Sequence, residues 1–294
     1  MAVANWTCKS VLDWTCGYLT KHGDDHPRLS AEWLLGNVTG LSRIELYTNF
    51  DRPLTHSELD AMHQAIKRRA AGEPLQYVTG EMAFRHIVVR CQPDVLIPRP
   101  ETELLVDIIL EEFSTTGVPS VPALMLEVGC GTGCIACSLA HERSKTHIVA
   151  TDLSSAAVEL TIRNRDTLHL KPFIDVVNCD LATGVDPCLM GHFDVLVSNP
   201  PYIPSSVIAK LPHEVSSFEP HLALDGGVDG LDVYRKLLDL APKALVSGGL
   251  FAVELFETKL EEAAHLARKT GYWRSVEIRE DYTHRPRFIV ARRV

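Results

Sequence analysis

The chain reads Leu-Met-Leu-Glu-Val-Gly-Cys-Gly-Thr-Gly over residues 124–133, and this stretch decides the fold class. Its apolar first half predicts a buried strand. The three glycines that follow predict a sharp turn into a helix, because glycine lets the backbone turn tightly and lets a ligand approach it closely. Dinucleotide-binding proteins share this logic but space their glycines Gly-x-Gly-x-x-Gly, whereas here glycines alternate with other residues. We therefore predict a strand, a ligand-binding turn and a helix, with a ligand other than a dinucleotide.

Short apolar strands alternate with helices from residue 124 onward. We predict strands at residues 124–128, 148–151, 174–177, 195–198, 250–255, 275–278 and 288–291. Helices are predicted at residues 133–141, 156–168, 234–245 and 260–270. This alternation predicts an α/β fold with a doubly wound, seven-stranded, mostly parallel sheet.

The first 75 residues differ from the rest, because their apolar residues recur only at helical spacing. Helices are predicted at residues 11–22, 27–39, 42–46 and 57–71. We therefore expect an N-terminal helical bundle domain over residues 1–75, a β-hairpin linker over residues 76–103 and the α/β domain over residues 104–294. The linker ends in the stretch 97–103, Ile-Pro-Arg-Pro-Glu-Thr-Glu, where two prolines stiffen the turn before the next helix.

The bulk composition argues against several classes of protein. Of the 294 residues, 46% are hydrophobic and 23% are charged, which is typical of a globular protein. No stretch approaches the roughly 20 apolar residues that a membrane helix needs, and residues 1–10 lack the pattern of a leader peptide. The net charge of −9 argues against a protein that binds nucleic acid directly. We expect a cytoplasmic protein that acts as a monomer, away from membranes.

The eight cysteines do not predict a disulfide framework or a metal site. Cys134 and Cys137 have the Cys-x-x-Cys spacing, but they fall where a helix should begin. No second Cys or His pair accompanies them at the spacing of a zinc site. We therefore expect small buried side chains, with no metal and no disulfide.

Three carboxylates stand at the ends of three successive predicted strands: Glu127, Asp152 and Asp180. In such sheets ligands bind at the carboxyl ends of the strands. A pyrophosphate would tolerate little negative charge there, whereas S-adenosylmethionine has no phosphate and carries a sulfonium and an ammonium group. We therefore predict S-adenosylmethionine as the cofactor, with its ribose diol on Asp152 and its adenine beside Asp180 and Leu181.

The fourth predicted strand ends in Asn199-Pro200-Pro201-Tyr202. Consecutive prolines stiffen the backbone and lack N–H donors, so the Pro200 carbonyl and the Asn199 side-chain oxygen can serve as two fixed acceptors. Together they can accept both hydrogens of an –NH₂ group while Tyr202 offers an aromatic surface to a planar group. The motif therefore predicts transfer of a methyl group to an amide or exocyclic amino nitrogen, with Asn199, Pro200 and Tyr202 as catalytic residues.

The chain resembles the HemK-type N5-glutamine methyltransferases of peptide chain release factors. The stretches that carry this resemblance span nearly the whole chain: residues 69–80, 95–103, 129–133, 199–202, 219–220, 223–227 and 229–231. The resemblance implies a Rossmann-like class I methyltransferase whose substrate is the glutamine of a Gly-Gly-Gln loop and whose products are N5-methylglutamine and S-adenosylhomocysteine. It also implies that the helical domain grips the body of the release factor.

Combining motif and resemblance gives the expected site. The expected cofactor-binding residues are Glu127, Gly129, Cys130, Gly131, Thr132, Gly133, Asp152, Asp180, Leu181 and Asn199. The expected substrate-binding residues are Asn199, Pro200, Pro201 and Tyr202.

Two stretches depart from the family pattern. The family usually has Glu-x-Gly-x-x-Gln after the fifth strand, but here Glu254 is followed by Phe256 and Lys259 at those positions. The late loop 281–285 lacks the usual glycine. We expect both departures to lie away from Asn199–Tyr202, which we call the acceptor motif, and not to affect the chemistry.

Two other functions remain open at the level of sequence. An adenine-N6 methyltransferase acting on nucleic acid would use the same Asn-Pro-Pro-Tyr motif on a flipped base, although the acidic charge argues against it. A catalytically idle S-adenosylmethionine-binding adaptor would keep the glycine turn without turnover, although no motif residue is missing.

Overall fold

The structure, a computed structural model, describes residues 6–115, 123–143 and 145–294. The first five residues of the expected helical domain, and residues 116–122 and 144 of the expected α/β domain, lie outside the described residues. The chain divides into two compact units, one formed by Met1–Glu81 and Pro212–Phe218 and the other by Met82–Leu211 and Glu219–Val294. Among the described residues, no helix combines the length and the apolar character needed to cross a membrane.

The first unit is built from helices. They are α1 (Cys8–Lys21), α2 (Pro27–Thr39), α3 (Arg43–Thr48), α4 (His56–Ala70) and α5 (Leu75–Thr79). Thr7, Ser42 and Thr55 begin α1, α3 and α4 with capping boxes, which satisfy backbone N–H groups that the first turn leaves unpaired. Leucines such as Leu12 and Leu35 form the core between the helices. Helix α5 occupies the start of the region where the sequence predicted a β-hairpin.

The second unit contains two sheets. Strands β1 (Glu81–Phe84) and β2 (Ile87–Arg90) form a small two-stranded sheet. The large sheet comprises β3 (Ala123–Val128), β4 (Thr146–Asp152), β5 (Ile174–Asn178), β6 (Phe193–Ser198), β7 (Leu245–Glu254), β8 (Trp273–Glu280) and β9 (Pro286–Arg293). Its strand order is β5-β4-β3-β6-β7-β9-β8, parallel except for β9, which runs antiparallel to both neighbours. The predicted seven-stranded, mostly parallel sheet is confirmed.

Helices cover both faces of the large sheet. The longer ones are α6 (Thr102–Thr115), α7 (Cys134–Glu142), α8 (Ser155–Thr167), α12 (Asp232–Ala244) and α13 (Leu260–Thr270). Three short helices follow β6 in the chain: α9 (Ser205–Ile208), α10 (His213–Phe218) and α11 (His221–Leu224). Alternate residues of β3 point to opposite cores, with Met125 packed with α6 and α7 and Leu126 packed with α12 and α13. A parallel sheet buried on both faces explains why its strands read as continuous apolar runs.

The short helix α10 belongs to the first unit although it lies far along the chain. Arg69, at the end of α4, donates to Asp24 Oδ2 at 2.7 Å and to Glu214 Oε2 at 2.8 Å. The Asp24 side chain is only 4% exposed, so this ion pair is largely shielded from solvent. Burial acts to raise the pKa of Asp24, but hydrogen bonds from Arg69 and Ser30 outweigh it and leave the pKa below its ordinary value.

Candidate active site

The glycine turn joins the end of β3 to the start of α7. Gly133 is the N-cap of α7 and has a φ of 77°, a conformation that side chains disfavour. A Cβ at this position would lie 2.8 Å from the Thr161 Cγ2 atom on α8. Glycine is therefore required here both by the backbone conformation and by the close approach of the neighbouring helix.

A cavity of about 440 Å³ opens at the carboxyl ends of the strands. Seven of the predicted site residues line it: Gly129, Gly131, Asp152, Asp180, Leu181, Asn199 and Pro201. These residues lie at or after the carboxyl ends of β3, β4, β5 and β6, so four neighbouring strand ends contribute to one wall. This is the place where open α/β sheets bind ligands.

Asp152 is held rigidly on the cavity wall. Its Oδ2 atom accepts from the Gly131 backbone N–H at 2.9 Å, and its Oδ1 atom accepts from the Ser154 N–H at 2.8 Å. Burial raises the pKa of Asp152, while these backbone hydrogen bonds act in the opposite direction. The carboxylate is thus fixed in place, and each oxygen keeps a lone pair that can accept a hydrogen bond from a diol.

Leu181, which also lines the cavity, has an unusual backbone conformation with a φ of 52°. The Thr151 hydroxyl donates to the Leu181 carbonyl oxygen at 2.6 Å and fixes this turn after β5. Backbone strain of this kind persists only where surrounding contacts enforce it, and it is concentrated at ligand sites. The turn presents an apolar side chain and the neighbouring Asp180 to the cavity.

The acceptor motif is anchored by a chain of side-chain hydrogen bonds. Asn199 Nδ2 donates to the Thr102 hydroxyl at 3.0 Å, and that hydroxyl donates to Glu254 Oε2 at 2.8 Å. The Tyr202 hydroxyl donates to the other carboxylate oxygen, Oε1, at 3.0 Å. One buried carboxylate, at the end of β7, therefore holds both polar side chains of the acceptor motif.

The carboxylate in this chain of hydrogen bonds is buried, which is unusual for a charged group. Thr102 is 2% exposed and Glu254 is 1% exposed. Burial raises the pKa of Glu254, whereas hydrogen bonds from Thr102 and Tyr202 and the nearby Arg287 cation act to lower it. Burial, together with the Glu254 carboxylate, raises the pKa of Tyr202 well above its ordinary value, so Tyr202 remains a hydroxyl donor.

Comparison with known proteins shows two matching families. The PrmC N-terminal domain matches residues 10–80, and the methyltransferase small domain matches residues 102–211. The release factor glutamine methyltransferase of Geobacter sulfurreducens is 40% identical over 267 residues, which cover 91% of this chain and 90% of that protein. The protein of the same name from Moorella thermoacetica is 38% identical and covers 98% of this chain and 99% of its own. The chain belongs to the release factor glutamine methyltransferase family.

The fold is shared more widely than the family. The catalytic domain of hMettl16, in its crystal structure with hairpin 6 of the MAT2A 3′UTR, superimposes with a TM-score of 0.56 over 80% of this chain and 81% of that chain. The two sequences are only 15% identical, so the similarity concerns the fold alone. Together with the family match, it supports the methyltransferase fold that the resemblance implied.

Six of the predicted site residues are not part of the cavity wall: Glu127, Cys130, Thr132, Gly133, Pro200 and Tyr202. Glu127 is 1% exposed, and its Oε2 atom accepts from the Ala136 N–H in the first turn of α7 at 2.9 Å. Burial raises the pKa of Glu127 well above its ordinary value. In this structure Glu127 ties the start of α7 to β3, and a role for it at the cofactor remains a prediction.

One expectation about the departures from the release factor glutamine methyltransferase pattern was wrong. The Phe256 ring stacks beside the Tyr202 ring of the acceptor motif, with 6.5 Å between centroids and 25° between planes. Strand β7 ends next to β6 in the sheet, so residues after Glu254 lie beside residues after Ser198. The late loop is linked electrostatically to the acceptor motif. Asp281 lies 3.6 Å from Arg287, and the Arg287 cation acts to lower the pKa of both Glu254 and Tyr202.

Sequence reasoning missed Thr102 and Glu254 as members of the site. Thr102 stands in the Pro-Arg-Pro-Glu-Thr stretch that carried the resemblance, and the same stretch places Arg99 2.7 Å from the buried Glu219 carboxylate. Glu254 was noted only because the residues after it depart from the family pattern. In the sequence, both residues stood in or beside a family motif to which no role had been given. Only the order of the strands in the sheet shows that they lie together.

The eight cysteines are free thiols in the structure. Cys134 and Cys137 are buried at the start of α7, and burial raises the pKa of both thiols. Over the described ranges, no group of three or more His, Cys, Asp or Glu side chains is arranged to hold a metal ion.

Proposed function

We propose that this chain transfers the methyl group of S-adenosylmethionine to the side-chain amide nitrogen, N5, of the glutamine in the Gly-Gly-Gln loop of peptide chain release factors. One observation carries the proposal. The –NH₂ end of the Asn199 side chain donates to Thr102, so the Oδ1 end remains to accept a hydrogen bond from a substrate. Within the described residues, no hydrogen bond ends on Asn199 Oδ1 or on the Pro200 carbonyl oxygen. Two acceptors of this kind match the two hydrogens of a primary amide.

The cavity suits the proposed cofactor. Asp152 and Gly131 would hold the ribose end, and Asp180 with Leu181 would hold the adenine, because the wall offers carboxylates and an apolar surface rather than a phosphate site. S-adenosylmethionine supplies an electrophilic methyl group on a sulfonium. The carboxylates of the wall are electrostatically compatible with the positive charges of this cofactor, and the cavity volume of about 440 Å³ lies in the range of small-molecule sites.

The acceptor residues address the weak nucleophilicity of an amide. The amide nitrogen is planar in the ground state and becomes pyramidal and partly positive as the methyl group transfers. Acceptors on both N–H groups interact more strongly with that later state, which is differential binding of the transition state. Asn199 and Pro200 would supply the acceptors and Tyr202 would position the group. No general base is obligatory, because the nitrogen becomes acidic only after methylation.

The helical unit is the proposed docking site for the body of the release factor. Its core is formed by residues of its own helices, separate from the cores of the large sheet. The cavity residues and the acceptor motif lie outside this unit. The proposal needs no second subunit, since one chain supplies both cavity and acceptor motif.

A transfer assay distinguishes the candidate functions. The protein is incubated with methyl-labelled S-adenosylmethionine and either a purified release factor or adenine-containing DNA. We expect label in the release factor only. Label in DNA alone would support the adenine-N6 alternative, and label in neither substrate, with the cofactor still bound, would support an idle adaptor.

A further inference from the structure

The hydrogen-bond chain behind the acceptor motif has a fixed direction. A carboxylate can only accept hydrogen bonds, so Glu254 receives one proton from Thr102 and one from Tyr202. The Thr102 hydroxyl has a single proton, and it is used on Glu254. The Thr102 oxygen can therefore only accept from its other neighbour, which is Asn199 Nδ2 at 3.0 Å.

We propose that Glu254, acting through Thr102, fixes which end of the Asn199 side-chain amide faces the substrate amide nitrogen that receives the methyl group. This inference rests on the proposed function, because it concerns the residue that receives the substrate amide. The oxygen and the –NH₂ group of an asparagine side chain are nearly equal in size, so packing alone does not select between them. Selection requires a neighbour that accepts but does not donate, and the carboxylate makes Thr102 such a neighbour.

The wrong orientation would block the reaction. If the Asn199 amide turned over, its –NH₂ group would meet the hydrogens of the substrate amide, donor against donor. Its oxygen would at the same time face the Thr102 oxygen with no proton between them. Thr102 is 2% exposed, so water does not readily relieve this second mismatch. Thr102 and Glu254 are thus positioning residues, and Asn199 is the residue that contacts the substrate.

The same carboxylate positions the aromatic side of the site. The Tyr202 hydroxyl donates to Glu254 Oε1. The Tyr202 ring stacks beside Phe256, which lies two residues after Glu254 in the chain. Glutamine in place of Glu254 would keep the size of the side chain but would add two donors. One of them could donate to the Thr102 oxygen, which would free the Thr102 proton for Asn199 Oδ1 and occupy the acceptor.

The experiment compares four variants of the full chain with the wild type. Thr102→Val removes the hydroxyl at constant size, Thr102→Ser keeps it, and Glu254→Gln removes the acceptor-only character. Thr146→Val is the matched control, because Thr146 is also a buried threonine but stands at the start of β4, at the opposite edge of the sheet. Single-turnover methyl transfer to a release factor is measured beside the dissociation constant for S-adenosylmethionine.

We expect Thr102→Val and Glu254→Gln to slow transfer by about 10- to 100-fold, the usual effect of removing a group that orients a functional residue. The dissociation constant for S-adenosylmethionine should change by less than about twofold, which would be worth under about 0.4 kcal/mol. Thr102→Ser should recover most of the rate. Wild-type transfer by Thr102→Val, or equal impairment of Thr102→Ser and Thr102→Val, would overturn the inference.

A second readout does not depend on transfer. In protein labelled with isotopic asparagine, the Asn199 amide protons are identified by their loss in Asn199→Asp, and their exchange with solvent is followed by NMR. They should exchange slowly in the wild type and faster in Thr102→Val and Glu254→Gln. Equal exchange in all three proteins would overturn the inference. If the wild type shows slow exchange but methylates no release factor, the proposed function fails while the orientation of Asn199 stands.

Discussion

Asn199 is the residue on which the proposed chemistry depends most. Asn199→Ala removes one of the two acceptors for the substrate amide, and loss of a preorganised polar contact of this type slows a reaction by about 10²- to 10³-fold. Asn199→Asp keeps an acceptor but adds a negative charge near the sulfonium, so it should bind S-adenosylmethionine at least as tightly while transferring slowly. We expect both variants to unfold thermally close to the wild-type temperature.

Single-turnover transfer and a thermal melt check this prediction together. Near-normal transfer by Asn199→Ala would mean that the Pro200 carbonyl and Tyr202 suffice. A large loss of thermal stability would instead mean that Asn199 is needed for the fold, through its hydrogen bond to Thr102.

Glu254 predicts a dependence of the rate on pH. Burial raises the pKa of Glu254, hydrogen bonds from Thr102 and Tyr202 and the charge of Arg287 act to lower it, and Glu101 acts to raise it. As the pH falls through this raised pKa, the carboxylate gains a proton and becomes a donor, so transfer should slow on the acid side. The free energy of unfolding responds in the opposite sense, because a raised pKa favours the folded state at low pH and this contribution is lost as the pH rises.

The pH profile of single-turnover transfer tests this expectation. The wild type should lose rate toward acid pH, whereas Glu254→Gln should be slow at every pH and lack that dependence. Its free energy of unfolding at neutral pH should not fall below the wild-type value by more than the loss of a hydrogen bond, about 1 kcal/mol. The same acid limb in both proteins would assign the titration to another group.

At this scale the sequence predicted the groups that lie next to the glycine turn or in a short motif. Asp152 and Asn199 could be placed because each follows a strand directly, and strand ends meet at one edge of the sheet. Thr102 and Glu254 are 152 residues apart in the chain. Their meeting depends on which strand lies beside which, and a single sequence does not specify strand order.

The turn between β3 and α7 shows how strongly an element can depend on one residue. Gly133→Ala would place a Cβ 2.8 Å from Thr161 in a backbone conformation that alanine disfavours. We expect the free energy of unfolding to fall by about 2–5 kcal/mol, since overpacking costs about 1–3 kcal/mol and the left-handed conformation about 1–2 kcal/mol.

Gly131→Ala is the matched control for this element. Gly131 also has a positive φ, 56°, but a Cβ there would meet nothing within 4 Å. Only the conformational part of the cost should remain, so Gly131→Ala should be the more stable of the two variants. Chemical denaturation measures both values, and equal stabilities would show that the contact with Thr161 relaxes at little cost.

The elements that the sequence did not predict are short. Helices α9, α10 and α11 contain four to six residues each, too few to show a helical period. The long strands and helices were predicted because each carries an apolar pattern over two or more turns or a full strand. The linker was less clear, since the hairpin was predicted from the near-alternation of apolar residues between Phe84 and Ile97, whereas Leu75–Thr79 forms a helix.

For the whole molecule, the proposal separates recognition of the release factor from chemistry. Among the described residues, the two cores of the large sheet use residues from Phe84 to Ala291, and none of these comes from α1 to α5. A fragment that begins at Met82 should therefore fold, bind S-adenosylmethionine with nearly normal affinity and fail to methylate an intact release factor efficiently.

Calorimetry with the cofactor and a transfer assay with the release factor check this prediction on the same fragment. The full chain is the control in both. Full transfer activity of the fragment would show that the helical unit is not needed for docking. Loss of cofactor binding would show that the second unit does not stand alone.

The atom that receives the methyl group tests the proposed function most directly. A purified release factor is treated with this protein and S-adenosylmethionine, digested, and mapped by tandem mass spectrometry. We expect the added mass of one methyl group on the side-chain amide of the glutamine in the Gly-Gly-Gln loop, present with the wild type and absent with Asn199→Ala. A methyl group on any other residue, or an unmodified glutamine, would contradict the proposed function.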